Sequence, residues 1–248
     1  MIDNDSLYAL LDKRFVDIAK SCDQAGVVLR HDKKSIWASD IEEAYYCEKK
    51  LDYSYLLSED EVLPDAIASL DHNLKEQCLN DLERKYIGSI NHAAVMKPDC
   101  SEIRVLGIFN GIPIGGSIDE LEVSGENITV VERKFRSLIP NRPYNEHEVQ
   151  GRVYCYCLDY MLAGTFPYNL NYRIDYCDLN DAGDSEIKLW QYYQYNQRMK
   201  VHMHDELSFV AGYWTEKREA KAQKSSRAKC NDCVYNVICE SSLVYEDN

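Results

Sequence analysis

Asp119, Glu132 and Lys134 are the residues of this 248-residue chain whose types and spacing best suit chemistry. The segments IPIGGSIDELEV and ITVVERKF read as strands, and the SGEN between them supplies turn formers in Gly125 and Asn127. If SGEN is the four-residue connection of an antiparallel hairpin, Val123 faces Ile128 and Asp119 faces Glu132. Directly opposed side chains share a face with Cβ atoms roughly 5 Å apart, and Lys134 joins that face because strand side chains alternate with period two. Two carboxylates held so close repel, and one pKa must rise unless a cation lies between them. Mg²⁺ or Mn²⁺, which take carboxylate, carbonyl and water oxygens, resolve the conflict. A lysine two residues past the second carboxylate can then position or activate a metal-bound water. A surface hairpin bearing Asp, Glu and Lys has the same local spelling, so specificity has to come from the surrounding elements.

Those elements begin with an amphipathic helix over residues 5–25, with Leu7, Leu10, Leu11, Phe15 and Ile18 at helical spacing. Ser39 or Asp40 could cap a second helix carrying Ile41, Ala44, Tyr45 and Cys47 inward. Residues 65–86 hold the longest helical stripe (Ile67, Leu70, Leu74, Cys78, Leu82), and His72 sits about 140° from its centre. After the strands from Ile103 onward, Asn145 with Glu148 makes a cap for a helix running to Gly164, on which Gln150 and Tyr154 are i,i+4 neighbours. YNLNYRIDYCD, the turn NDAGD and EIKLWQYYQY read as a further hairpin, followed by a helix over 198–221. There is no internal repeat and no linker long enough to divide the chain, so a single domain is expected over 1–248.

Composition narrows the classes. With 45% hydrophobic residues, the chain can bury a full core, which excludes disorder and low complexity. The longest stretch without charge, 105–118, is too short and too glycine-rich to span a bilayer. The acidic start lacks the form of a secretion signal, so a reducing, cytoplasmic setting is expected, where clustered cysteines mean metal or catalysis rather than disulfides. A formal charge of -14 argues against a general nucleic-acid coat. Positive charge is nevertheless concentrated in RKFRSLIPNR, which contains Arg136 and Arg142, and in KREAKAQKSSRAK. Cys230, Cys233 and Cys239 form a Cx2Cx5C tail, and three thiolates there need a fourth ligand from elsewhere. Zinc and an iron–sulfur cluster suit such a tail equally. The other cysteines, including Cys155 and Cys157, read as small buried hydrophobes.

GGSIDELEV, ITVVERKFR and QGRVY resemble the core motifs of the RecB-family branch of the PD-(D/E)xK nucleases, in the expected order over residues of about 70 to 160. The resemblance implies an α/β fold with a mixed central sheet flanked by helices. It implies Asp119 and Glu132 as metal ligands, Lys134 as the catalytic lysine, and Gln150 and Tyr154 as a QxxxY motif that contacts DNA or orders the site. It also implies a histidine ligand on an upstream helix, which His72 fits, with His92 as the competitor. Ile118 stands where the motif's proline would be, as is common in this branch. DIEEAYYCEKKLDYSYLL resembles the single-cysteine N-terminal motif of the branch's iron–sulfur members, which place one cysteine before the core and three after it. On that pattern Cys47 joins Cys230, Cys233 and Cys239 around a 4Fe–4S cluster, with zinc the alternative. The segments become a cluster segment at 36–60, a nuclease core at 65–195 and a C-terminal helix and cysteine segment at 196–248.

The resemblance thus implies a DNase in which His72, Asp119, Glu132 and the carbonyl of Arg133 hold one or two Mg²⁺ or Mn²⁺ ions. Lys134 helps deprotonate or orient water, and Arg136 and Arg142 lie on a track for single-stranded DNA ends. Both the CRISPR-associated adaptation nuclease and exonuclease V share these features, so integrase proteins or repair factors are the implied partners. The rival expectation is a DNA-binding or assembly subunit whose cleavage is gated by such partners.

Overall fold

The computed structural model describes residues 4–57, 103–135, 139–179, 185–222, 227–231 and 233–242. The expected 65–86 helix with His72 and Cys78 lies outside these residues, as do His92, Cys100, Arg136 and the 180–184 turn. Among the described residues no helix is long and apolar enough to cross a membrane.

The chain opens with helix α1 (Asn4–Ala25), the short strand β1 (Ile36–Trp37) and helix α2 (Ala38–Leu56). Strands β2 (Ile103–Phe109) and β3 (Ile112–Ile118) form a three-stranded sheet with β1 in the order β1-β3-β2. Strands β4 (Glu120–Ser124), β5 (Asn127–Phe135), β6 (Asn169–Leu179) and β7 (Ser185–Gln194) form a second sheet in that order. Helix α3 (Asn145–Leu162) connects β5 to its parallel neighbour β6, and α4 (Gln197–Trp214) and the short α5 (Arg227–Asn231) follow. Both parallel and antiparallel pairs occur, so the architecture is mixed α/β with helices against the sheets.

The β4–β5 register matches expectation, with Val123 opposite Ile128 and Glu120 opposite Val131. The strand expected to run unbroken through 112–123 does not. It divides at Asp119, where the chain leaves one sheet and enters the other. The core lies where α3 crosses both sheets, burying Val149, Val153, Leu158 and Met161. Two close approaches make this possible. A Cβ on Gly151 would lie 2.6 Å from the Tyr172 ring, and one on Gly116 would lie 2.6 Å from the Tyr154 ring. Only hydrogen fits at these contacts.

Local chemistry moved several helix ends. Asn145 does not cap α3; the cap is Tyr144 without a side-chain bond, because Glu148 turns instead to the Tyr193 hydroxyl at 2.6 Å. The cap of α2 is Trp37, whose N–H donates to Asp40 Oδ2 at 2.8 Å, so Asp40 serves the helix start from inside its first turn. Helix α4 stops at Trp214 rather than near 221, and Glu216 beyond it takes a positive φ of 57°. This turn sends Arg218 back onto Phe209, 4.1 Å from its ring, and into a bidentate pair with Glu48 of α2. Cys155, Cys157 and Cys177 are buried, as packing cysteines should be, whereas Cys22 on α1 is only half-buried, against the expectation of a packing role.

One buried ion pair joins three helices. Glu206 of α4 accepts from Arg152 of α3 at 2.6 and 3.0 Å and from the Tyr45 hydroxyl of α2 at 2.8 Å. Its charge holds the Arg152 guanidinium above its ordinary pKa against the opposing effect of burial. Breaking such a pair strands a buried charge. Glu206→Ala should therefore lower the unfolding free energy by about 3–5 kcal/mol in denaturant melts; a loss below about 1 kcal/mol would show that water already serves Arg152.

Candidate active site

The break between β3 and β4 fixes Asp119. Its Oδ2 accepts the backbone N–H of Arg133 at 2.9 Å, just past the last ladder pair of Glu120 and Val131. The carboxylate is thereby bound to β5 beside Glu132, which is 1% exposed. Alternation sends Glu132 and Lys134 to the α3 side and Arg133 to the other face, where its guanidinium pairs with Glu120.

Lys134 binds these parts together. Its Nζ lies 3.1 Å from Glu132 Oε1, 2.9 and 3.0 Å from the two oxygens of Glu42, and donates to Gln150 Oε1. Gln150 then donates from Nε2 to the Tyr154 hydroxyl at 2.9 Å. Burial acts to lower the Lys134 pKa, but the Glu132 and Glu42 carboxylates outweigh it and raise the net value. The side chain is an ammonium in this arrangement. The Tyr154 phenol is pushed well above its ordinary pKa by burial and then by the charges of Glu132 and Asp119, so it stays neutral. Gln150 and Tyr154 are buried, with Gln150 bridging Lys134 and the Tyr154 hydroxyl.

Two residues here were missed in the sequence. Glu42 of α2 reaches Lys134, and His147 of α3 places Nε2 at 3.3 Å from Glu42 Oε1 and Nδ1 at 2.6 Å from the Tyr176 hydroxyl. His147 had a legible signal, since His147, Gln150 and Tyr154 follow at i, i+3 and i+7 on one helix face. Glu42 had none, because its contact spans 92 residues of chain.

Glu132 and Glu42 therefore flank the Lys134 ammonium, with the Asp119 carboxylate held on the Arg133 N–H of the same strand. Arg133 is committed elsewhere, so the balance is negative and fits a divalent cation. The oxygens available are those of Asp119 and Glu132, with the Arg133 carbonyl between them in sequence. Among the described residues, no three His, Cys, Asp or Glu side chains already converge in metal-ligand geometry. Lys134 does the neutralising instead.

Cys47, Cys230, Cys233 and Cys239 line one pocket, with Tyr46, Lys50, Tyr53 and Tyr235 around them, and none of the four is in a disulfide. Cys47 interrupts α2 with φ -172° and ψ 116°, an extended residue inside a helix. The Cys233 thiol is raised chiefly by burial, with Lys50 lowering it and Cys47 and Cys239 raising it, so the thiols sense one another. The flanking tyrosines join the same segments. The Tyr46 hydroxyl donates to the Lys229 carbonyl at 3.1 Å, and Tyr53 stacks on Tyr235 with centroids 5.7 Å apart.

Several cations of the two basic segments are engaged within the protein. Arg133 is buried and half-buried Lys134 is paired inside, Arg218 is spent on Glu48, and Lys229 reaches Glu146 at 3.2 Å while lying 4.5 Å from the Tyr46 ring. Much of this charge holds elements together, because the acidic body supplies partners. Arg142 is exposed.

No protein-family model matches the chain, and no curated protein matches it. Among solved structures, the crystal structure of SSO0001 superposes with a TM-score of 0.56 at 15% identity, over 94% of this chain and 95% of that one, which shows a shared fold. Two further structures match with lower scores. LHK-Exo in complex with dAMP gives a TM-score of 0.37 at 13% identity over 71% of this chain and 86% of that one. The alkaline exonuclease LHK-Exo from Laribacter hongkongensis gives 0.36 at 14% identity with the same coverage.

The Gly116 contact generates a structural test. Gly116→Ala puts a methyl 2.6 Å from Tyr154 Cε1, and overpacking of this kind should lower the unfolding free energy by about 1–3 kcal/mol. Adding Tyr154→Leu should recover part of the loss in denaturant melts. An equal loss with and without the second change would place the clash elsewhere.

Proposed function

We propose that this chain is a divalent-metal-dependent DNA nuclease that hydrolyses phosphodiesters at the ends of single strands. The observation that supports it best is the pair of buried carboxylates Asp119 and Glu132 beside Lys134, with half-buried Glu42 on the same ammonium. Asp119, Glu132 and the Arg133 carbonyl would hold Mg²⁺ or Mn²⁺, with His72 a further ligand. A bound divalent ion supplies Lewis-acid polarisation of the phosphate and acidifies a water molecule.

The chain's own residues do the rest. Asp119 is oriented by the Arg133 N–H and Glu132 by Lys134, so the two carboxylates keep their mutual position without a ligand. The Lys134 ammonium, its donors engaged by Glu132, Glu42 and Gln150, would place positive charge where the phosphate's negative charge grows. Gln150 and Glu42 hold that ammonium from two sides, while His147 braces Glu42 against Tyr176. Tyr154, neutral and buried, closes the back of the site. Arg142 and Arg136 are the candidate strand contacts.

In this reading Cys47, Cys230, Cys233 and Cys239 hold a 4Fe–4S cluster that fastens α2 to the C-terminal tail, zinc being the other ion that four thiolates suit. The reading is supported by four cysteines lining one pocket and by the helix break at Cys47. The work is the processing of DNA ends in spacer acquisition or repair, inside a reducing compartment.

With Mn²⁺ or Mg²⁺ the purified protein should degrade end-labelled single strands and stop on addition of a chelator. Asp119→Ala, Glu132→Ala and Lys134→Ala should each lower the rate by at least about 100-fold with an unchanged circular dichroism spectrum. Full activity in any of the three contradicts the assignment. Anaerobically purified protein should be brown with broad visible absorption, and Cys47→Ser should lose the colour and stability together. Colourless protein with stoichiometric zinc would replace the cluster by zinc.

A further inference from the structure

At the end of β5 remote from Glu132, the sheet gathers side-chain amides. Asn127 of β5 is paired directly with Asn169 of β6, and Asn171 of β6 with Gln194 of β7. Paired residues face the same way, and so do Asn169 and Asn171, two apart on one strand. The register alone therefore puts four amides on one face. All four line a cleft of about 380 Å³ together with the rings of Tyr192 and Tyr195, a volume near the low end of small-molecule sites.

Asn171 is 3% exposed, and its Nδ2 has no hydrogen-bond partner. Buried donors of this kind are rare in folded proteins, and each calls for an acceptor. The charged groups of the cleft, by contrast, are already engaged. Both oxygens of Asp159 accept from Lys200 at 2.8 Å, and the Tyr168 hydroxyl donates to Asp159 at 3.0 Å. An ion would find its counter-charge spent on an internal pair. The chemistry left over is neutral: amides that offer both donors and acceptors, a buried N–H lacking an acceptor, and flat phenol faces, of which Tyr192 is 43% exposed.

We propose that this cleft is a nucleobase-binding site, with the Asn171 amide donating to a ring nitrogen or carbonyl of the base. Side-chain amides match the mixed donor and acceptor edges of bases, and tyrosine faces stack on their rings. Tyr192 and Gln194 supply the open wall, and Asn171 the floor. The occupant is a base, whether in a free nucleoside or in a strand. The strand form rests on the nuclease reading, since β5 from Asn127 to Glu132 separates cleft and catalytic centre by roughly 17 Å.

The test is titration of the full chain with the four deoxynucleosides, with glucose as a neutral polar control, followed by protein NMR shifts or calorimetry. At least one nucleoside should saturate, and Tyr192→Ala and Gln194→Ala, both exposed positions that leave the core intact, should each raise its Kd at least about tenfold. Asn171→Leu should abolish binding, provided its melting curve matches the wild type. The same surface variants are then titrated with a short oligonucleotide in the Asp119→Ala background. A parallel loss there assigns the cleft to a base within a strand, and unchanged oligonucleotide affinity assigns it to a free nucleoside; both support the site. Absence of nucleoside saturation, binding indifferent to the Tyr192 and Gln194 changes, or preference for glucose overturns it. Nucleoside binding by a protein that cleaves nothing would refute the nuclease reading alone, and cleavage without nucleoside binding would refute the cleft alone.

Discussion

The ammonium of Lys134 must serve Glu132, Glu42 and Gln150 at once, with Asp119 near by and almost no solvent to share the load. Buried charge is tolerable only where it is paired and hydrogen-bonded, so each neighbour is held by something else. Asp119 is held by the Arg133 N–H, Gln150 by Tyr154, and Glu42 by His147, which leans on Tyr176. Removing any one group leaves another unsatisfied. The fold meets this demand by bending the chain from one sheet into the other at Asp119 and by bringing α3 close enough for Tyr154 to lie on Gly116.

The same economy governs the charges outside the site. An acidic chain provides partners for Arg133, Lys134, Arg218 and Lys229 of the two basic segments, and their charge is therefore structural. Arg218 and Lys229 fix the C-terminal segment to α2 and α3, and Arg152 draws α3 to α4 through Glu206. These bonds bring the tail cysteines to the pocket that Cys47 also lines, so α2 and the C-terminal segment meet through protein contacts.

The hairpin was legible because its register follows from one turn and the period of two, and both held from Ser124 to Glu120. What the spelling of GGSIDELEV hid was the break at Asp119. Each half of that segment is a good strand, and the choice between one long strand and two depends on which sheet claims each half. The lysine and its acidic neighbour on β5 were legible for the same reason as the register. Glu42 was not, since nothing in DIEEAYY points to a partner 92 residues away. His147 was readable from its spacing to Gln150 and Tyr154, but a buried histidine announces no role until its neighbours are known. Helix ends were displaced where a side chain had a better partner elsewhere, as with Glu148 and Tyr193. The strands and helices carried local periodic signals, whereas the charge network is a property of long-range packing.

The central claim is that the buried negative balance around Lys134 is a divalent-cation site. Calorimetric titration of Mn²⁺ into the purified chain, freed of metal beforehand, tests it most directly. The account predicts saturable binding that is lost in Asp119→Asn and in Glu132→Gln, both of which remove one charge while keeping shape. Equal Mn²⁺ affinity in the wild type and both variants would contradict it, because the ion would then be bound somewhere other than between these carboxylates.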